Sequence, residues 1–218
     1  CLMKHNFCGY TPFEVDITDM VKYGAENSLA VFVDMTEHEG WWYEGAGIYR
    51  PVRLRKTDLC AIDLWGVFAR PERQADGAWI VNTETTLRNA GERDERLTVK
   101  GEILDAEGQV VATSGAETTV SLRDAATLRY EFAVGAPQLW SPETPFRYTM
   151  RTSVFCGETE TDRDEVKFGF RTIRTDCNEG LFINDKPYRL KGFCAHESCG
   201  LTGKVIPETD RKSKRLNS

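Results

Sequence analysis

At 218 residues the chain has room for one large domain or two small ones. Hydrophobic residues make up 40% and charged residues 28%, a balance that excludes a disordered chain, and no apolar run approaches the roughly 20 residues that span a bilayer. The net charge of −6 argues against nucleic acid as a partner, because phosphate binding needs clustered basic groups.

The first residues, Cys1-Leu-Met-Lys-His-Asn6, lack an initiating Met and a basic-then-apolar leader pattern, and read as the middle of a longer protein. Phe13, Val15 and Ile17 alternate with polar neighbours, the period of a half-buried strand. Thr18-Asp19 predicts a single helical turn through Tyr23, ended by Gly24. Further strands are predicted over 27–33 and 48–54, the second interrupted at Pro51 as at an edge or bulge. Between them lies Gly40-Trp-Trp-Tyr-Glu-Gly-Ala-Gly47, a loop dense in aromatics and glycines.

A second set of strands follows over 61–69, 79–87, 97–104, 109–113, 128–134, 148–155 and 166–173. Turns are predicted at Asp76-Gly77, Asn89-Ala-Gly91, Asp105-Ala-Glu-Gly108 and Cys156-Gly157. Short alternating strands punctuated this way predict an immunoglobulin-like β-sandwich, without the cysteine pair and tryptophan of antibody domains. The acidic run of Glu158, Glu160, Asp162, Asp164 and Glu165 reads as a charged hairpin rim. Next, Phe182-Ile-Asn-Asp-Lys-Pro-Tyr-Arg-Leu190 turns at Asn184-Asp185, and the chain then runs through Gly192 to a lone His196. The plan is mainly β: the end of one β domain (1–57), a complete sandwich (58–174) and the opening of a third domain (175–218).

The seven cysteines are odd in number and scattered, which points to a reducing compartment such as the cytoplasm rather than a disulfide framework. Cys194-Ala-His-Glu-Ser-Cys199 gathers three soft ligands where structural zinc takes four, so no metal or other cofactor is expected. The tail 210–218 is basic, with Leu216 its single apolar residue, and cannot bury a helix face; it reads as a solvated or non-native end.

Four motifs occur in order: Gly40-Trp-Trp-Tyr-Glu-Gly-Ala-Gly-Ile-Tyr-Arg50, Pro137-Gln-Leu-Trp-Ser-Pro-Glu-Thr-Pro145, Phe168-Gly-Phe-Arg-Thr-Ile173 and Leu190-Lys-Gly-Phe-Cys-Ala-His196. Together the chain resembles glycoside hydrolase family 2, the β-galactosidases, β-glucuronidases and β-mannosidases. The resemblance implies the C-terminal part of a jelly-roll sugar-binding domain, an immunoglobulin-like sandwich, and the first strand of an incomplete (β/α)8 barrel. It further implies a retaining glycosidase, most nearly a β-galactosidase, acting on a carbohydrate β-glycoside.

Retaining enzymes of this kind use two carboxyl groups about 5–5.5 Å apart. The family carries them on later barrel strands, so no catalytic residue is expected in this chain, and the piece alone is expected to be inactive. His196 would stand at the mouth of the barrel and contact the sugar. Trp41, Trp42 and Tyr43 could border the same pocket, although adjacent aromatics more often pin a loop to its own domain. An unfinished barrel edge would favour self-association, as a homo-oligomer or otherwise. The alternative is a non-catalytic β-sandwich that binds carbohydrate or scaffolds other proteins, and the stretch 181–196 separates the two readings.

Overall fold

The computed structural model describes residues 4–6, 11–34, 47–48 and 51–192. It divides into two compact units, Cys1–Val52 with Cys194–Ser218, and Arg53–Phe193. Ten β-strands and one short 3-10 turn are present among the described residues, and no α-helix.

In the first unit, the turn at Thr18–Met20 is anchored by Asp16, whose carboxylate accepts from the Thr18 amide at 2.9 Å and the Thr18 hydroxyl at 2.6 Å. Thr18 is thus inside the turn and not its cap: Ile17 stands at the N-cap with no side-chain cap bond. Gly24 follows with φ +72, a backbone that favours glycine. The strands predicted at 13–17, 27–33 and 48–54 do not form ladders among the described residues, and Phe13, Leu29, Val31, Val33, Ile48 and Leu54 are exposed. Period-two patterning specifies which face of a strand could bury, but a strand also needs a partner to pair with.

The second unit is a two-layer sandwich. One sheet has the order β1-β2-β5, from Cys60–Arg73, Trp79–Asn89 and Asp124–Val134. The other has the order β4-β3-β6-β7, with β3 Glu95–Leu104, β4 Val110–Val120, β6 Tyr148–Cys156 and β7 Thr159–Phe168. All the pairings are antiparallel. Strand β2 alternates buried and half-buried positions along its whole length, sending Trp79, Val81, Thr83, Thr85, Leu87 and Asn89 inward.

Opposite these lie Leu97, Val99, Ile103, Met150 and Val154, with Phe132 filling the centre. Gly101 leaves room for that ring: a Cβ there would lie 2.6 Å from Phe132 Cζ and 2.9 Å from Tyr130 Cε2. Buried polar groups are largely answered. Asn89 donates to the carbonyls of Arg93 and Val120 and accepts from the Gly91 amide, which closes the predicted Asn89-Ala-Gly91 turn from inside the core.

Strand β7 differs from the expected span of 166–173. It begins at Thr159, and Ile173 belongs instead to a further strand. Most of the acidic run is thus part of a ladder rather than only a rim, and arginines answer three of its carboxylates. Glu160 pairs with Arg163 at 2.7 Å and Glu165 with Arg151 at 2.8 Å, while Asp162 accepts from Arg55 at 3.2 Å and the Ile62 amide at 3.0 Å.

A small three-stranded sheet completes the unit, with β8 Ile173–Asp176, β9 Gly180–Ile183 and β10 Lys186–Tyr188 in the order β10-β9-β8. The predicted turn at Asn184-Asp185 joins β9 to β10. Both residues take positive φ, 51 and 63, the twist of a type I′ hairpin turn that matches the strands on either side.

Candidate functional site

The residues predicted to meet sugar, Trp41, Trp42, Tyr43 and His196, lie outside the described residues, as do Cys194 and Cys199. Two of the four motifs, 137–145 and 168–173, are fully described, and the structure brings them together with the Asn184-Asp185 turn.

Trp140 stands at the meeting point. Its backbone amide donates to the Phe170 carbonyl at 2.8 Å, and its carbonyl accepts from the Asn184 side-chain amide at 2.9 Å. The other end of the Asn184 side chain accepts from the Thr172 amide at 3.0 Å, and the Asn184 amide returns a bond to the Thr172 carbonyl at 3.0 Å. Ahead of them, Ser141 and Thr144 close the proline-flanked loop on itself through backbone and hydroxyl contacts near 3.0 Å. Gly169 passes so close beneath Trp140 that a Cβ would lie 2.9 Å from the Trp140 Cβ.

Phe168 and Phe170 are buried. Phe170 meets Trp79 and Tyr148 edge-on, with ring centroids at 5.4 and 4.9 Å. Arg171 lies over the Trp140 ring at 4.6 Å, where the indole presents its electron-rich face to the guanidinium.

Beside this junction is a depression of about 410 Å³ lined by Ala69, Pro71, Trp140, Arg147, Lys167 and Arg171 among others. A second, of about 370 Å³, lies on the outer face of β3, β4, β6 and β7, where Lys100 stands over Phe155 at 4.7 Å. Sequence reasoning missed the first because Arg147 is distant in the chain from Lys167 and Arg171. The pairing of Tyr148 with Phe168 places Arg147 and Lys167 at the same end of β6 and β7. Only strand register could have revealed that.

No group of three potential metal ligands occurs among the described residues. Two of the thiols there are not activated: burial pushes Cys60 up, and burial followed by its hydrogen bond to Glu95 pushes Cys156 up. Among the described residues, no helix is long and apolar enough to cross a membrane.

Comparison with known proteins agrees with this architecture. The model of the glycosyl hydrolases family 2 matches residues 61–171, about half of the chain. A β-galactosidase of Bacteroides ovatus is 33% identical over 199 residues, covering 91% of this chain and 23% of that protein. A β-glucuronidase of Bacteroides fragilis is 29% identical over 215 residues, covering 91% of this chain and 30% of its own length. Among solved structures, a glycosyl hydrolase family 2 member from Bacteroides cellulosilyticus superposes with a TM-score of 0.82 at 27% identity, over 96% of this chain and 29% of that one. The chain thus spans less than a third of the length of these relatives. With the family model running from the first sandwich strand into the Arg171 strap, the chain belongs to glycosyl hydrolase family 2.

Proposed function

We propose that this chain is the non-catalytic β portion of a retaining glycoside hydrolase, most nearly a β-galactosidase, whose hydrolytic carboxylates lie on polypeptide beyond it. The supporting observation is the pattern of coverage: similarity to a β-galactosidase runs over 91% of this chain but takes up only 23% of that relative. In this reading, residues 1–57 end a jelly-roll sugar-binding domain, 58–174 form the sandwich, and 175–218 open a (β/α)8 barrel.

The sandwich acts as a rigid spacer. Its two sheets share one core, and the Trp140 junction fixes where the chain leaves β7 for the hairpin. His196 supplies an imidazole at the sugar pocket, able to donate to a hydroxyl while carrying little charge near neutral pH. Trp41, Trp42 and Tyr43 offer flat faces to the C–H side of a pyranose. Several of the described carboxylates are engaged in structure: Glu84, Glu95, Glu117, Glu160, Asp162 and Glu165 each pair with an arginine.

The test compares this chain with the enzyme encoded by its extended reading frame, on 4-nitrophenyl β-galactoside and β-glucuronide. The chain alone gives no turnover. The extended enzyme cleaves the galactoside with retention of configuration, and His196→Ala lowers its kcat/KM by about 10²-fold, the scale of one lost donor at a developing charge. Turnover by the chain alone, or an extended enzyme inert on every β-glycoside offered, refutes the proposal.

A further inference from the structure

Most described arginines of this acidic chain have a carboxylate partner, Arg55, Arg70, Arg73, Arg93, Arg96, Arg123, Arg129, Arg151, Arg163 and Arg174 among them. The depression beside Trp140 departs from that rule. Arg147, Lys167 and Arg171 line it together, all three are exposed, and none has an ion pair among the described residues. Among the described residues, no acidic side chain lines it. The remaining walls include Ala69, Pro71 and the Trp140 indole, over which the Arg171 guanidinium carbon lies at 4.6 Å.

Gathering three cations around one concavity is unfavourable by mutual repulsion, and in a chain of net charge −6 carboxylates are plentiful. An anionic ligand removes that cost. The volume of about 410 Å³ falls within the range of small-molecule sites, which combine apolar walls with a few convergent charged groups. A guanidinium binds a carboxylate in a fork, and Arg171, beside the Trp140 ring at 4.6 Å, lines the depression with its charged group exposed. The apolar wall suits the C–H face of a pyranose ring.

We propose that this basin is an accessory binding site for the carboxylate of an acidic sugar, a uronate residue of a glycan, separate from the hydrolytic centre. Arg147 and Lys167 supply the charge, Arg171 the bidentate contact, and Trp140 with Pro71 the apolar wall. The anion follows from the geometry of the sandwich alone; the sugar rests on the carbohydrate reading above.

Titration of the isotope-labelled full chain tests this by amide and indole NMR shifts, which need no turnover and so do not depend on whether the glycosidase reading holds. The probes are methyl β-glucuronide, methyl β-galactoside and sodium sulfate, at low salt. The glucuronide, taken to about 10 mM, moves the Trp140 indole N–H and the amides of Lys167 and Arg171 with a Kd on the order of 1 mM. The galactoside binds at least about tenfold more weakly, since a charge-assisted bond contributes about 1.5–3 kcal/mol. The double variant Arg147→Gln with Lys167→Gln loses the response by a similar factor while its thermal midpoint is unchanged, both side chains being exposed. Silence of these signals with glucuronide overturns the site. Equal affinity for sulfate, or for the neutral galactoside, overturns its assignment to a uronate. Binding of glucuronide by the chain but not by the extended enzyme means that an acidic segment of the enzyme fills the basin, which also overturns it.

Discussion

Asn184 ties the hairpin to the sandwich, and its replacement by alanine is expected to destabilise the second unit by about 2–4 kcal/mol. Two side-chain hydrogen bonds disappear, from the Thr172 amide at 3.0 Å and to the Trp140 carbonyl at 2.9 Å, for a loss of about 1–3 kcal/mol together. Position 184 also has φ 51, a conformation that costs an ordinary L-residue about 1–2 kcal/mol and asparagine less. Alanine suffers both losses. Glycine suffers only the first, so Asn184→Gly should be less harmful than Asn184→Ala by about 1 kcal/mol. The Asn184 amide bond to the Thr172 carbonyl is backbone and survives in both. Urea unfolding gives the free-energy difference where the slope is unchanged, and exchange of the Thr172 amide reports the junction locally. An alanine variant within about 0.5 kcal/mol of the parent, or alanine and glycine of equal cost, would refute this account of the junction.

Gly101→Ala places a methyl 2.6 Å from Phe132 Cζ and should cost about 1–3 kcal/mol in urea unfolding; Phe132→Leu in the same chain should cost less than it does alone. Hydrogen bonding to arginine holds Glu95, Glu117 and Glu160 below the usual carboxylate range, and backbone amides do the same for Asp176. The folded state therefore binds fewer protons than the unfolded one, so their contribution is full above about pH 5 and is lost as pH falls through the depressed values. Arg96→Ala should flatten the acid limb of the urea midpoint plotted against pH; an unchanged limb would remove Glu117 from the explanation. Among the three described cysteines, Cys177 is exposed while Cys60 is buried and Cys156 half-buried with a raised thiol, so peptide mapping after brief alkylation should find Cys177 modified first.

The sandwich was readable because its strands hide one face and wet the other. Leu97, Val99 and Ile103 are buried with polar residues between them, and glycines with positive φ stand at Gly77, Gly108 and Gly157 where turns were predicted. Strand β7 was half hidden because Glu160, Asp162 and Asp164 give it no apolar stripe, and its place is set by ladder bonds to β6 and by Arg55, Arg151 and Arg163. The Asn184-Asp185 turn was found from residue type alone, since both tolerate positive φ. That Asn184 would bond Trp140, 44 residues away, was not readable, because nothing local encodes it. The same holds for the basin: Arg147 and Lys167 meet only through the register of two strands.

The described family motifs identify the fold because they build one joint, and that has a measurable consequence. Gly169, Phe170, Arg171 and Asn184 all act on Trp140: the first by leaving space, the second through its carbonyl, the third by stacking, the fourth by donating to the Trp140 carbonyl. Gly169→Ala forces the indole stem outward by tenths of an ångström, which lengthens the Asn184 bond before Asn184 is touched. The two substitutions should then be sub-additive, with a coupling of about 0.5–2 kcal/mol in a double-mutant cycle. Were each motif an independent surface feature, Gly169→Ala and Asn184→Ala would sum to within about 0.3 kcal/mol, and Trp140 would be only a neighbour to both. A coupling that vanishes when Trp140 is replaced by leucine would place the communication in the indole; one that persists would place it in the backbone bond between Trp140 and Phe170.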